Sequence, residues 1–397
     1  AQGWRPARPY GGSPRLRGVG RSLLGLRPVP LAGRDTERDA LWSAFRQSAN
    51  RGESVGMLLT GQEGLGRTRM LAWLSERVLE LGAGQTIRIQ CQRRQERART
   101  LRRVLAEVLR VGNAIGEVLD DRIELGHHRL GLETSPLVGF ALRPGAEADL
   151  IGAATAQLLE RLARRGPLVV TVDDLHLVPS LIPDLHTWSR IDGPLFVLAS
   201  TRSGETETIA ALGDWATFTA ELQPLGSTER HQLIDSILPL SPTLAAQVEE
   251  RTEGIPRFAV QLITDWAQRG VLRPGPNGFE APHDLQLPPS MQAIWSSRVR
   301  HLLQEFDHPE AGPLLELAAV LGNDVAFDDL AALRPYELPL ARALVARMAL
   351  HRLVAASEEG FVFAHPAVRE VLLHRARRKE RLQGLHAEVA RLLEESE

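Results

Sequence analysis

The chain has 397 residues, 43% hydrophobic and 24% charged, with a formal net charge of −2. That length predicts two or three domains, the composition is globular, and the near-neutral charge gives no general reason to expect nucleic acid or an acidic membrane as partner. A single cysteine, Cys91, excludes an internal disulfide and suits a reducing interior; with no run approaching about 18 apolar residues and no secretory segment, the expectation is a soluble cytoplasmic protein without membrane contact.

Residues 1–29 hold Arg5, Arg8, Arg15, Arg17, Arg21 and Arg27, four prolines and no acidic residue. This Pro/Gly-rich stretch lacks an amphipathic period and reads as a linker or tether to an upstream domain. From Leu31 the pattern becomes α/β. A helix carrying Leu41, Trp42 and Phe45 is expected, with Asp35 as its N-cap. Val55–Leu59 reads as a short buried strand. It leads into Gly61-Gln62-Glu63-Gly64-Leu65-Gly66-Arg67-Thr68, which keeps the spacing G-x-x-x-x-G-K-[ST] but has arginine in place of lysine. Met70, Leu71, Leu74, Val78 and Leu79 then recur at helical spacing.

Strand, glycine-rich loop and helix in that order form the context of a phosphate cradle. Glycines let successive backbone N–H groups turn toward phosphate, and the helix start adds partial positive charge. Thr68 is placed to put its hydroxyl on Mg²⁺. Arg67 has a bland explanation too, since Lys379 is the sole lysine among 47 basic residues. A guanidinium fork nevertheless differs from an ammonium in shape and reach, so binding is expected to survive the exchange better than hydrolysis.

Further along, a strand is expected near Thr86–Gln90 and a helix over Leu101–Leu109, whereas residues 110–146 read as irregular. His127 and His128 in that stretch read as a surface pair rather than a metal site. Leu150, Ile151, Ala154, Leu158 and Leu162 mark the next helix. Leu168–Asp174 and Leu195–Arg202 are short, continuously apolar strands, and their alternation with helices indicates a parallel sheet covered on both faces. Asp173-Asp174 ends the first of these. One carboxylate, Asp173, suits a hard cation, and the other, Asp174, can orient or deprotonate an attacking water. Arg202 ends the second, at the sheet edge where ligands of open α/β folds bind, and can reach a terminal phosphate.

Beyond Ser227 the pattern is helical as far as a Pro274–Gly278 turn. Past Pro288-Pro289, helices over Pro313–Leu321, Asp328–Leu333 and Leu338–Leu350 precede a hairpin of Leu353–Ala355 and Phe361–Phe363. Three helices and a β-ribbon read as a winged helix. The late segment Arg369–Arg381 carries Arg369, Arg375, Arg377, Arg378, Lys379 and Arg381. It offers either a DNA-backbone contact, which is not favoured, or a solvated helix face.

Taken in order, these segments resemble the STAND class of signal-transducing, AAA+-related P-loop ATPases, as in bacterial regulators of the maltose-activator type. Leu31-Ala32-Gly33-Arg34 is similar to that class's opening motif, whose backbone cradles adenine. Asp173-Asp174-Leu175-His176 is similar to its Walker B box, and Ser200-Thr201-Arg202 to its sensor strand. Gly254-Ile255-Pro256 resembles the element whose proline packs on the base. Phe363-Ala364-His365-Pro366 resembles the segment whose histidine contacts the ADP β-phosphate, though proline here replaces an acidic residue.

The resemblance implies an α/β P-loop NTPase sheet with a helical lid and a C-terminal winged helix. The corresponding boundaries are a tether over 1–29, the core over 30–226, the lid over 227–286 and the winged helix with terminal helices over 287–397. It implies ATP/ADP and Mg²⁺ as cofactors. The nucleotide would be held by Leu31, Arg34, Gly61, Gln62, Glu63, Gly64, Leu65, Gly66, Arg67, Thr68, Arg69, Pro256 and His365. Thr68 and Asp173 would hold the metal, with Asp174 and Arg202 as catalytic residues. The expected function is an adenine-nucleotide-dependent switch with slow or impaired hydrolysis, whose output is either exposure of a surface for a nucleotide-dependent self-oligomer or release of a tethered or separate effector. An active ATPase motor or loader and a winged-helix DNA-binding regulator are the alternatives.

Overall fold

The structure is a computed structural model and describes residues 3, 29, 31–92, 96–112, 114, 116–282, 290–351, 353–357, 359–364 and 366–394. The expected tether (apart from Gly3 and Val29), Pro288-Pro289, Glu358 and His365 lie outside the described residues. The chain divides into two compact units, Ala1–Val260 with Pro274–Glu280, and Gln261–Arg273 with Ala281–Glu397.

The first unit begins α1 (Asp35–Arg51), β1 (Val55–Gly61), α2 (Arg67–Glu80), β2 (Gln85–Gln90) and α3 (Arg97–Leu109). Next come α4 (Gly116–Arg129), α5 (Pro136–Leu142), α6 (Ala148–Ala163), β3 (Leu168–Asp173), α7 (Ile182–Trp188), β4 (Leu195–Ser200), α8 (Thr206–Leu212) and β5 (Phe218–Leu222). The unit ends with α9 (Ser227–Ile237), α10 (Pro242–Thr252) and the start of α11 (Pro256–Gln268). A short ribbon of β6 (Arg273–Gly275) and β7 (Gly278–Glu280) follows at the expected turn.

The five strands pair in the order β2-β3-β4-β1-β5, every neighbouring pair parallel. Successive side chains of a strand face opposite ways, and two clusters result. Leu58, Leu168, Val170, Val172, Leu195, Val197 and Ala199 pack with residues of α3, α6 and α7. Their neighbours Met57, Leu59, Val169, Phe196 and Leu198 pack with residues of α1 and α2. Both faces are thus covered, which is why β3 and β4 are buried at every position and rich in Val and Leu. This is the P-loop NTPase α/β architecture.

Three local expectations need correction. Arg34, in the left-handed region at φ 62°, occupies the N-cap of α1, and Asp35 is the first helical residue. The stretch 110–146 contains α4 and α5, although α4 buries only Leu119, Ile123, Gly126 and His127. His127 is not at the surface: it is fully buried, whereas His128 is exposed.

The second unit contains α12 (Met291–Phe306), α13 (Ala311–Leu321), β8 (Asp324–Ala326), α14 (Phe327–Leu333), α15 (Leu338–Leu350), β9 (Val354–Ala356), β10 (Gly360–Phe363), α16 (Pro366–Arg378) and α17 (Leu382–Glu394). Strand β10 pairs antiparallel with both β8 and β9. Helix α13 is the centre of this unit, with nearly every side chain buried, Glu316 among them. The basic segment is partly consumed here. Arg375 Nε donates to Glu316 Oε1 at 2.9 Å, Arg381 Nη2 lies 2.6 Å from Glu316 Oε2, and Arg369 Nε donates to the Ala319 carbonyl at 2.7 Å. Arg377, Arg378 and Lys379 remain exposed.

Candidate functional site

Strand β1 ends on Gly61 and α2 begins on Arg67, so the residues between them form a tight link off a central strand. Gly64 (φ 88°) and Gly66 (φ 101°) take left-handed backbone conformations that L side chains resist. Gly66 is the N-cap of α2 and supplies no side chain to the first-turn N–H groups. A helix start left open in this way, with no acidic residue in its first turn, favours an anion.

Two other segments reach the loop. Arg34 is buried; its guanidinium donates to the Leu65 carbonyl at 3.3 Å and to Glu37 at 2.9 Å. Its backbone N–H donates to Glu229 of α9 at 2.7 Å. The half-buried Leu31 and Ile255 both pack on the cluster that includes Leu65. The Arg257 N–H donates to the Gly64 carbonyl at 3.2 Å, which places Pro256, first residue of α11, beside the loop. Arg34 and the start of α11 therefore reach the glycine-rich link, and Leu31 packs on the same apolar cluster as Leu65.

Two carboxylates lie at and just beyond the end of β3. Asp173 is buried at the end of β3 and accepts a 2.6 Å hydrogen bond from Ser200 Oγ. Burial is the main force pushing its carboxyl above the usual range; bonding to Ser200 and Thr68 opposes the shift. The exposed Thr68 hydroxyl thus sits against Asp173. A hydroxyl beside a carboxylate with disfavoured charge suits a hard divalent cation, which supplies the missing positive charge. Asp174 takes the left-handed conformation (φ 53°), its N–H donates to Ser200 Oγ at 3.0 Å, and His176 Nδ1 lies 3.9 Å from its carboxylate. Burial and the two aspartates push the Cys91 thiol up to about 12, so it stays protonated.

Arg67 is bonded within the protein. Its guanidinium donates to the Gly61 carbonyl and, at 2.9 Å, to Asp174 Oδ1. Arg69 turns along α2 to Glu76, 2.9 Å away. Gln62 and Glu63 are exposed. Arg202, just beyond β4, lies 3.5 Å from Glu63, and Arg257 lies 4.0 Å from the same carboxylate. Burial lowers the Arg257 pKa, while Glu63 and Asp174 hold it up. Arg257 and Glu229 were not anticipated. Arg257 could have been found from its place directly after Pro256 at a helix start, whereas Glu229 has no local signature. Among the described residues no group of three His, Cys, Asp or Glu side chains could hold a metal alone.

Residues 30–198 match the family model described as the AAA ATPase domain. An uncharacterized protein of Rhizobium meliloti is 27% identical over 257 residues, 61% of this chain and 24% of that protein; the chain thus spans about a quarter of the curated relative it matches. Among solved structures, the Aeropyrum pernix Orc1 protein in complex with DNA is similar with 17% identity, 89% of this chain and 96% of that chain covered, and a TM-score of 0.48. A Walker-type ATPase of Pyrococcus abyssi is similar with 14% identity, 88% and 99% covered, and a TM-score of 0.45. The glycine-rich link off β1, the carboxylates ending β3 and the family match over the same residues agree. Residues 30–198 of this chain are thus similar to the AAA ATPase domain, consistent with an AAA+-related P-loop module.

Proposed function

We propose that the chain is an adenine-nucleotide-dependent regulatory switch of the STAND type in which ATP hydrolysis is slow or lost. The observation that carries this reading is the engagement of Arg67. A P-loop lysine serves as a mobile point charge for the β- and γ-phosphates. Here the cation at that position is bonded to Asp174, the carboxylate that would orient water in this reading. One contact removes both a phosphate ligand and the base, while the glycine-rich backbone and the α2 N-terminus retain their anion-binding geometry. Binding without efficient turnover is the behaviour of a switch.

In this reading the loop residues 61–68 hold the phosphates, Thr68 and Asp173 hold Mg²⁺, and Leu31, Arg34 and Pro256 enclose the base. Bound Mg²⁺ would neutralise phosphate charge, and Arg202 would distinguish a triphosphate from a diphosphate. The core over 30–226, the lid over 227–286 and the winged helix over 287–397 act as the switch's parts, with a tethered or separate effector receiving the output. A duplex-binding role draws little support, because Arg369, Arg375 and Arg381 are spent on partners inside the second unit.

Parallel assays of ATP binding and Mg²⁺-dependent phosphate release test the proposal. The expected result is saturable ATP binding with release close to the uncatalysed background. Brisk release that Asp174→Asn abolishes would replace the switch by a working ATPase motor.

A further inference from the structure

Glu63 lies within the phosphate-binding link, where a negative charge opposes the ligand the link is built to hold. Its two carboxylate oxygens face different arginines. Oε2 is 3.5 Å from Arg202 Nη2, just past the end of β4, and Oε1 is 4.0 Å from Arg257 Nη1, in the first turn of α11. All three side chains are about one-third exposed, at 37% for Glu63 and 34% for each arginine. At that exposure and spacing the ion pairs contribute little to stability. The other arginines at the loop are already engaged, Arg67 by Asp174, Arg34 by Glu37 and the Leu65 carbonyl, and Arg69 by Glu76. Arg202 and Arg257 are therefore the cations beside the loop that an incoming phosphate can recruit, and Glu63 stands between them.

A carboxylate and a phosphate present similar oxygens to guanidinium forks. We propose that Glu63 is a built-in competitor for the terminal phosphate. Its carboxylate holds Arg202 and Arg257 until the γ-phosphate of a nucleoside triphosphate takes its place. A diphosphate lacks the group that competes and leaves the Glu63 contacts intact. Glu63 is then a specificity-determining residue that sets the ratio of triphosphate to diphosphate affinity and biases the resting protein toward ADP. This deepens, and rests on, the nucleotide-switch reading. The effect of Glu63 runs through two arginines on separate elements, so an arriving γ-phosphate also changes what α11 is tied to, which is the differential contact a switch requires.

The test is titration of the full chain with ATP and with ADP by calorimetry. It uses the wild type, Glu63→Gln, Glu63→Ala and the Arg202→Gln/Arg257→Gln double variant with and without Glu63→Gln. Glu63 is exposed on a loop, so both single substitutions are compatible with folding, which circular dichroism verifies. Removing the charge is expected to raise the ATP-to-ADP affinity ratio by about three- to tenfold. In the background lacking both arginines the same substitution is expected to leave the ratio unchanged. A wild type that binds both nucleotides, with a ratio that Glu63→Gln and Glu63→Ala shift by less than about twofold, overturns the proposal alone. Absence of binding of either nucleotide to the wild type overturns the nucleotide reading itself.

Discussion

At the scale of single residues, the proposed switch turns on Arg67. A lysine in its place has a shorter reach to the side, one charge centre and no fork with which to hold the Gly61 carbonyl and Asp174 together. Arg67→Lys should free Asp174 and return a mobile cation to the phosphates. Mg²⁺-dependent phosphate release is then expected to rise by about tenfold or more, and an unchanged rate would show that Arg67 is not the limiting defect. His127 makes a second residue-scale prediction. Burial is the first cause of its lowered pKa, with Arg161 acting in the same direction and the Ile123 carbonyl opposing. Its Nδ1 lies 2.8 Å from that carbonyl, and Nε2 has no hydrogen-bond partner among the described residues. The unfolded chain takes up the proton near the ordinary histidine value of about 6.5, whereas the folded one resists it to lower pH. The His127 contribution is present above that value and is lost as pH falls below it. Urea midpoints at pH 7.5 and 5.5 should drop less for His127→Phe than for the wild type; equal drops would remove His127 as the source.

At the scale of elements, the buried Glu316 on α13 is the clearest case. It is fully buried, while Arg375 and Arg381 keep about a third of their surface, 33% and 35%. If Glu316 is removed, the arginines can turn outward to water. If both arginines are removed, the carboxylate has nowhere to go. Arg375→Met with Arg381→Met should therefore cost about 3–5 kcal/mol, more than Glu316→Gln, in urea unfolding monitored by circular dichroism. The opposite ranking would mean that Glu316 reaches water. The elements also show what the sequence made legible. Strands β1, β3 and β4 announce themselves because both faces are covered and nearly every position is apolar. Strand β5 was missed because it is an edge: only Leu222 is buried, and Thr219 and Glu221 are exposed. Helix α4 was missed for a related reason, its few buried positions being interspersed with charge, and α12 has no N-terminal signal beyond Ser290, whose hydroxyl accepts from Ala293 N–H. In the site, loop spacing and strand-end carboxylates could be read directly. The capture of Arg67 by Asp174 and the pairing of Glu63 with Arg202 and Arg257 could not, because side chains from β3, β4 and α11 meet only after folding.

At the scale of the whole molecule, the two compact units divide the work between them in the proposed switch. The first holds the phosphate loop, the carboxylates and the arginines. The second supplies a helical body around α13 with a small antiparallel sheet. A ligand moves such a system only by its difference in affinity for two states. The groups on hand for that difference are Glu63, Arg202 and Arg257 in the first unit. The account depends above all on one property, retention of an adenine polyphosphate on the loop between β1 and α2. Native mass spectrometry of the purified full chain, followed by denaturation and identification of released small molecules, measures it directly. The account predicts one adenine nucleotide per chain, ADP for a resting switch or ATP for a stalled hydrolase, and its loss in Gly66→Val. Protein with no nucleotide, and no uptake of added ATP or ADP, would contradict it.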